Sequence, residues 1–183
     1  SENIGRFMSE YGFQSYPEMA TIKSYAHDTD LQIDSEVMIS HQRAKHDETR
    51  DPNFGNNMMS MYMERYFTVP DDFEDFVYMS QVMQAEAVKA GIEAHRRAKP
   101  YCMGTLYWQI NDVWPAPSWS SMDYYGRWKA LHYYARDAFS EVLISPYAKK
   151  DGKIVFRLVS DRPSELKAEF TATVMTLDGN VIY

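Results

Sequence analysis

The stretch from residue 73 to residue 97 sets the tightest constraint on what this chain can fold into. Phe73, Phe76, Val77, Met83, Ala87, Val88 and Ile92 recur at three- and four-residue spacing, which lines one face of a helix. Pro70 precedes it, and Asp71 or Asp72 can cap its first turn. His95, Arg96, Arg97 and Lys99 gather where a helix dipole favours positive charge, and Pro100 closes the segment. Compact apolar runs lie on both sides. Residues 6–10 read as a short buried strand, and residues 102–110 read as a second strand, apolar on both faces like the interior strands of parallel sheets. A further helix is expected near 127–139, with Trp128, Leu131, Tyr134, Ala135 and Ala138 along one side. Strand, helix, strand, helix implies parallel strands with helical crossovers, an α/β arrangement.

The pattern changes toward the C-terminus. Residues 141–149, 153–159 and 166–176 read as strands, with Asp151-Gly152 and Asp178-Gly179 placed as turns. Alternation from Ile154 to Val159 and from Ala168 to Val174 suits the opening of an antiparallel β-sandwich. We place the boundary near residue 143. Between the first strand and the long helix the signals are weaker. Gly12 and Pro17 break regular structure, and Pro17 can occupy the first position of a short helix. A short helix is expected near 34–44, and the methionines at 58, 59, 61 and 63 form a packing face. His41 and His46 match no metal-ligand spacing and read as solvated loop residues. The first strand starts almost at residue 1, and Asn180–Tyr183 leaves a turn as a strand, so a piece of a longer polypeptide is expected.

A net charge of -7 argues against nucleic acid or an anionic membrane as the main partner, and no run has the length of a membrane span. A neutral substrate fits better. The single cysteine, Cys102, forms no intrachain disulfide and reads as a small core residue. Aromatic residues make up 15% of the chain, which suits sugar rings and an ordinary core alike.

Two strand ends carry the candidate chemistry. The first runs out in Ser9-Glu10-Tyr11-Gly12, where a glutamate before a glycine can project into a cleft. The second ends in Tyr107-Trp108-Gln109, followed by Asn111-Asp112, and its Trp can offer a flat apolar platform. On the residues alone, a solvated carboxylate at Glu10 and a core side chain at Trp108 stand ahead of the functional reading.

The run Arg6-Phe7-Met8-Ser9-Glu10-Tyr11-Gly12-Phe13-Gln14-Ser15 resembles the nucleophile strand of glycoside hydrolase family two, in its β-mannosidase branch. Gly104-Thr105-Leu106-Tyr107-Trp108-Gln109-Ile110-Asn111-Asp112-Val113-Trp114-Pro115 resembles the last barrel strand of those enzymes. Pro117–Ser121 and Asp123–His132 are similar to its continuation into the last helix. The resemblance covers roughly residues 4–140. It implies the C-terminal part of a (β/α)8 TIM barrel, strands seven and eight with their helices, over residues 1–143. Residues 144–183 would begin an immunoglobulin-like all-β sandwich.

By the same resemblance Glu10 is the catalytic nucleophile of a retaining exo-β-mannosidase. Trp108, Tyr11, Asn111, Asp112 and Trp114 contact the sugar, and no metal or other cofactor takes part. Retaining enzymes use two carboxyl groups about 5–5.5 Å apart. The family's acid/base is the Glu of an Asn-Glu pair, which this sequence lacks, so the chain by itself is expected to be inactive. The expected partner is a carbohydrate with a terminal β-mannoside, with no nucleic acid and no membrane, and the isolated chain is expected to self-associate. A β-galactosidase or β-glucuronidase of the same family is the nearest alternative. A non-catalytic carbohydrate-binding or assembly module is a more distant one. No feature of the sequence selects among periplasmic, extracellular and lysosomal placements.

Overall fold

Helix α4 spans Phe73–Arg97 in the computed structural model, which describes residues 3–44 and 51–183. The Asp72 side chain accepts a hydrogen bond from the Asp75 backbone N–H (3.1 Å), with Glu74 and Asp75 in the first turn and His95, Arg96 and Arg97 in the last. Both ends therefore complement the helix dipole as the sequence suggests. The N-terminal half of α4 packs on α1 (Met19–Ile22), α2 (Glu36–His41) and α3 (Phe54–Met63). Phe76, Val77 and Met83 meet Ile22, Met38, Met59 and Met63 there. The C-terminal half packs on α5 (Ala130–Ala138), with Ala85, Val88 and Ile92 against Leu131, Ala135 and Ala138. Because α4 has different neighbours along its length, its buried surface is wider than one apolar stripe. Ala87 is exposed although it keeps helical spacing, whereas Ala85, Ser80 and Gln84 are buried.

The two expected parallel strands are present but short. β1 (Phe7–Met8) pairs in parallel with β2 (Gly104–Thr105), Phe7 opposite Gly104 and Met8 opposite Thr105. Single hydrogen bonds continue the pairing from the Leu106 N–H to the Met8 carbonyl (2.9 Å) and from the Trp108 N–H to the Tyr11 carbonyl (2.8 Å). The burial expected for 6–10, and on both faces for 102–110, does not occur. Cys102 is buried and Tyr107 packs toward α4 and α5, while Phe7, Met103, Leu106, Trp108 and Ile110 face outward. One face of the pair is covered by helices, and among the described residues nothing covers the other.

Other boundaries shift for local reasons. Pro17 lies one residue ahead of Glu18, which takes the N-cap of α1. Helix α5 starts at Ala130 rather than near 127, because Trp128 pairs with Met122 in a β-bridge and Lys129 is the N-cap. His41 is not a solvated loop residue. It ends α2, stacks on Tyr25 (centroids 3.9 Å apart) and Trp114 (4.6 Å), and its Nδ1 is hydrogen-bonded to the Pro115 carbonyl (2.7 Å). His46 lies outside the described residues.

In the C-terminal region β3 (Val142–Ala148) and β4 (Ile154–Ser160) form an antiparallel hairpin from Val142 opposite Ser160 to Ala148 opposite Ile154. β3 thus lies within the strand expected over 141–149, and β4 starts one residue later than the one expected over 153–159. The turn falls at Asp151-Gly152, where Gly152 has φ +81, a conformation that suits glycine. The strand expected over 166–176 does not form, and only a bridge between Met175 and Val181 remains. Alternation alone cannot hold a strand that has no neighbour to pair with. The hairpin is tied to α4 by Arg96, which donates to the Ala138 carbonyl and pairs with Asp161 (3.0 Å).

Beneath the ends of β1 and β2 the interior is polar. Ser15 and Ser118 form an antiparallel bridge, each N–H donating to the other's carbonyl at 3.0 Å. Gln84 of α4 accepts from the Ser15 hydroxyl (2.8 Å) and donates to the Phe13 and Ser120 carbonyls (2.8 and 3.2 Å). The Lys129 side chain is 0% exposed and donates to the Ser15 and Ser118 carbonyls (3.2 and 3.3 Å). Burial pushes the Lys129 pKa down to about 7 from 10.5, against the opposing pull of Asp112, Asp123 and Glu18.

The folded state disfavours the ammonium, so between about pH 7 and 10.5 the unfolded chain holds a proton that the folded protein lacks. The contribution of Lys129 to stability is therefore fully present above that window and is lost as pH falls through about 7. Urea denaturation of the complete protein should show stability rising by up to about 1.4 kcal/mol per pH unit through this window. Lys129→Met should flatten the rise. An unchanged slope in the variant would show that another group produces it.

Candidate functional site

The site forms where the two parallel strands run out. After Met8 the chain leaves the sheet and presents Glu10 to solvent, with no side-chain hydrogen bond to another described residue. Its position is set by the backbone on either side. The Tyr11 carbonyl is held by the Trp108 N–H, and one residue further on Gly12 lies against the neighbouring strand end. A Cβ on Gly12 would come within 2.3 Å of the Trp108 carbonyl oxygen and 3.1 Å of the Trp119 ring, so only glycine allows this approach. Trp108 is 48% exposed on the uncovered face of the strand pair, and its peptide bond to Gln109 is cis. Glu10 and Trp108 are thereby brought to the same end of two adjacent strands.

The remaining residues expected here take different positions. Tyr11 turns the other way, toward α4. Its hydroxyl is hydrogen-bonded to Thr105 Oγ1 (2.8 Å), its ring meets the His95 ring edge-on (4.9 Å), and burial raises its pKa against the opposing effect of the Thr105 bond. His95 Nδ1 is hydrogen-bonded to the same Thr105 oxygen (2.7 Å), and burial lowers the His95 pKa. Asn111 is exposed beside the strand end. Asp112 is 5% exposed, and both of its carboxylate oxygens are engaged. Oδ1 accepts from Gln109 Nε2 (3.2 Å), and Oδ2 accepts from the hydroxyls of Ser118 (2.7 Å) and Ser120 (2.6 Å). Such a carboxylate organises its own loop. Trp114 is half-buried in the stack with His41 and Tyr25.

Residues not singled out by sequence supply the support. Gln84 and Lys129 hold the Phe13–Ser15 and Ser118–Ser121 segments from below. Ser121 joins Tyr107 (2.9 Å) and His132 Nδ1 (2.9 Å) in a chain of hydroxyl and imidazole groups. A signal for Gln84 existed, since it falls with Ser80 and Gln81 on the buried surface of an amphipathic helix. Lys129 gave none, because a lysine one residue ahead of a helix ordinarily reads as solvated. Among the described residues no three His, Cys, Asp or Glu side chains gather as metal ligands, and no helix is long and apolar enough to cross a membrane.

No family model matches the chain. The chain is 38% identical to the β-mannosidase of Capra hircus, a match covering 93% of this chain and 20% of that protein. It is 38% identical to the β-mannosidase of Bos taurus (82% and 18%) and 35% identical to β-mannosidase A of Emericella nidulans (79% and 17%). Among solved structures, the β-D-mannosidase of Dictyoglomus thermophilum superposes with a TM-score of 0.78 at 32% identity, covering 85% of this chain and 18% of that one. An exo-chitosanase of Amycolatopsis orientalis, at 23% identity and a TM-score of 0.62, shares the fold. The chain spans about a fifth of the length of the curated relatives it matches. With motifs, strand pairing and overall sequence in agreement, this chain belongs to the β-mannosidases, a family of glycoside hydrolases.

Proposed function

We propose that the complete protein containing this chain is a retaining exo-β-mannosidase in which Glu10 is the nucleophile. The observation that carries this reading is the position of Glu10, exposed just beyond β1 at the same end of the strand pair as Trp108, which follows the parallel strand β2. Its relatives are β-mannosidases, and the names of those relatives favour a terminal β-mannoside over the galactoside and glucuronide alternatives. In this reading the Glu10 carboxylate attacks the anomeric carbon and the bond to the leaving oxygen breaks, giving a covalent glycosyl-enzyme. Water then releases the sugar with retention. A second carboxyl group, supplied from outside these 183 residues, protonates the leaving oxygen and later activates the water.

Trp108 serves as the platform under the apolar face of the sugar, and Asn111 lies within the same open surface. Tyr11, Asp112 and Trp114 act through position: Tyr11 anchors the Glu10 segment to Thr105, Asp112 shapes the following loop, and Trp114 borders it. β1 and β2 are proposed as strands seven and eight of a (β/α)8 barrel spanning residues 1–143. Their parallel pairing, the return through α4, and a site at the strand ends support that assignment. Residues 144–183 are proposed as the start of an immunoglobulin-like sandwich, supported by the hairpin of β3 and β4.

A mechanism-based 2-fluoro-mannoside should label Glu10 in the complete protein. Glu10→Ala should lower turnover by several orders of magnitude, because no covalent intermediate forms. Labelling of another carboxylate would displace Glu10 from this role. Trp108→Ala should reduce kcat/KM by an amount worth roughly 1–3 kcal/mol. A change within about twofold, or ~0.4 kcal/mol, would leave Trp108 no part in sugar binding.

The isolated 183-residue chain is expected to hydrolyse no aryl mannoside. It is also expected to self-associate through the outward row of Phe7, Leu106, Trp108 and Ile110. A compact monomer in sedimentation at micromolar concentration, or measurable turnover, would count against the respective half of that expectation.

A further inference from the structure

Glu10 sits in a span of backbone fastened at two places. Closest to it are β1, which precedes it, and the bond from the Trp108 N–H to the carbonyl of Tyr11, the residue that follows it (2.8 Å). On its far side the chain is fastened at the Ser15–Ser118 bridge, which joins the loop after β1 to the loop after β2. A carbonyl oxygen can accept two hydrogen bonds, and a bridge uses only one on each carbonyl. In this bridge one atom donates to both carbonyls, and Gln84 Nε2 also approaches the Ser118 carbonyl at 3.5 Å. Lys129 Nζ donates to the Ser15 carbonyl (3.2 Å) and to the Ser118 carbonyl (3.3 Å). The Lys129 backbone N–H also donates to the Ser121 carbonyl (3.0 Å), so a single residue holds three points on the two loops.

Burying a lysine is costly unless its donors are satisfied, and no ion pair to Lys129 forms among the described residues. The carboxylates that act on it are Asp112, Asp123 and Glu18, and each has another setting. Asp112 is bound by Ser118 and Ser120. Asp123 accepts from Thr21 and from the Tyr125 and Arg127 N–H groups. Glu18 caps α1. Lys129 is therefore committed to the bridge rather than to a counter-ion.

We propose that Lys129 is a positioning residue of the candidate site, fixing the reach of Glu10 by bonding both carbonyl groups of the Ser15–Ser118 bridge. The inference rests on the proposed role of Glu10. With the side chain fully enclosed, water cannot replace the lost donors in a Lys129→Met variant. The loop after β1 would then be held at its near end and loosened at its far end. A nucleophile displaced in this way still allows the sugar to bind and slows its attack.

The test uses the complete protein, with an aryl β-mannoside as substrate and a 2-fluoro-mannoside to count competent sites. Lys129→Met is expected to lower kcat per titrated site by about 100-fold, the scale of a small misplacement of a reacting group, with KM little changed. Lys129→Gln keeps a donor but is one atom shorter and cannot reach both carbonyls, so a loss of about tenfold is expected. If Lys129→Met does not fold, Lys129→Gln decides the matter. A kcat per titrated site within about twofold of wild type, with only the melting temperature lowered, would overturn the proposal and leave Lys129 a purely structural residue. Absence of β-mannoside hydrolysis by the wild-type protein would remove the proposed function and this inference together, whereas an active wild type with undiminished variants removes this inference alone.

Discussion

Two strands of two residues each cannot fix each other's position, and the arrangement of β1 and β2 depends on helix α4 beneath them. The helix touches both layers of the molecule. Its first half closes the core formed with α1, α2 and α3, its second half closes the core formed with α5, and between them Gln84 reaches up to the loops that follow both strands. His95, near its last turn, meets Thr105 and the Tyr11 ring. The strand pair is thus held in place from one side by a helix whose apolar contacts supply the favourable energy and whose polar residues set the register.

The polar layer is costly, and that cost bears on what it does. A buried hydrogen bond contributes about 0.5–1.5 kcal/mol net, while a buried group left unpaired costs about 1–3 kcal/mol. Asp112, Ser118, Ser120, Gln84 and Lys129 together offer no large net gain over an apolar interior. They do strongly disfavour any other arrangement of the same loops. Each of the two loops is therefore specified rather than merely stabilised, which is what a site built on loop residues requires.

Much of the helical part was legible in the sequence because it follows local rules. The bounds of α4, its Asp72 cap and the hairpin turn at Asp151-Gly152 all follow from periodicity and turn chemistry. The parallel pairing of β1 with β2 was legible from the order of elements. The failures share one cause. Burial of 102–110 on both faces was inferred from its apolar composition and a strand over 166–176 from alternation, yet each needs a neighbour that the described residues do not supply. In the candidate site the motif named Glu10 and Trp108 as candidates, while the settings of Asp112 and Tyr11 depended on which way a side chain turns. His41 and Lys129 were missed because their partners, Trp114 and Ser15, lie over seventy and over a hundred residues away in the chain.

A carboxylate without contacts of its own takes its position from its backbone. Glu10 makes no side-chain bond that could correct an error in the loop, so its placement is only as accurate as the tethers on either side. The near tether is rigid because Gly12 lets the loop lie directly on the Trp108 carbonyl, and any added Cβ would push it away. The far tether is a single β-bridge, which is weak alone and firm only when its carbonyls are held from below. In its proposed role as nucleophile, Glu10 needs freedom from competing hydrogen bonds to remain reactive and fixed geometry to attack in line. Both conditions are met when precision is transferred from the side chain to the backbone, and from the backbone to buried residues that never touch the substrate.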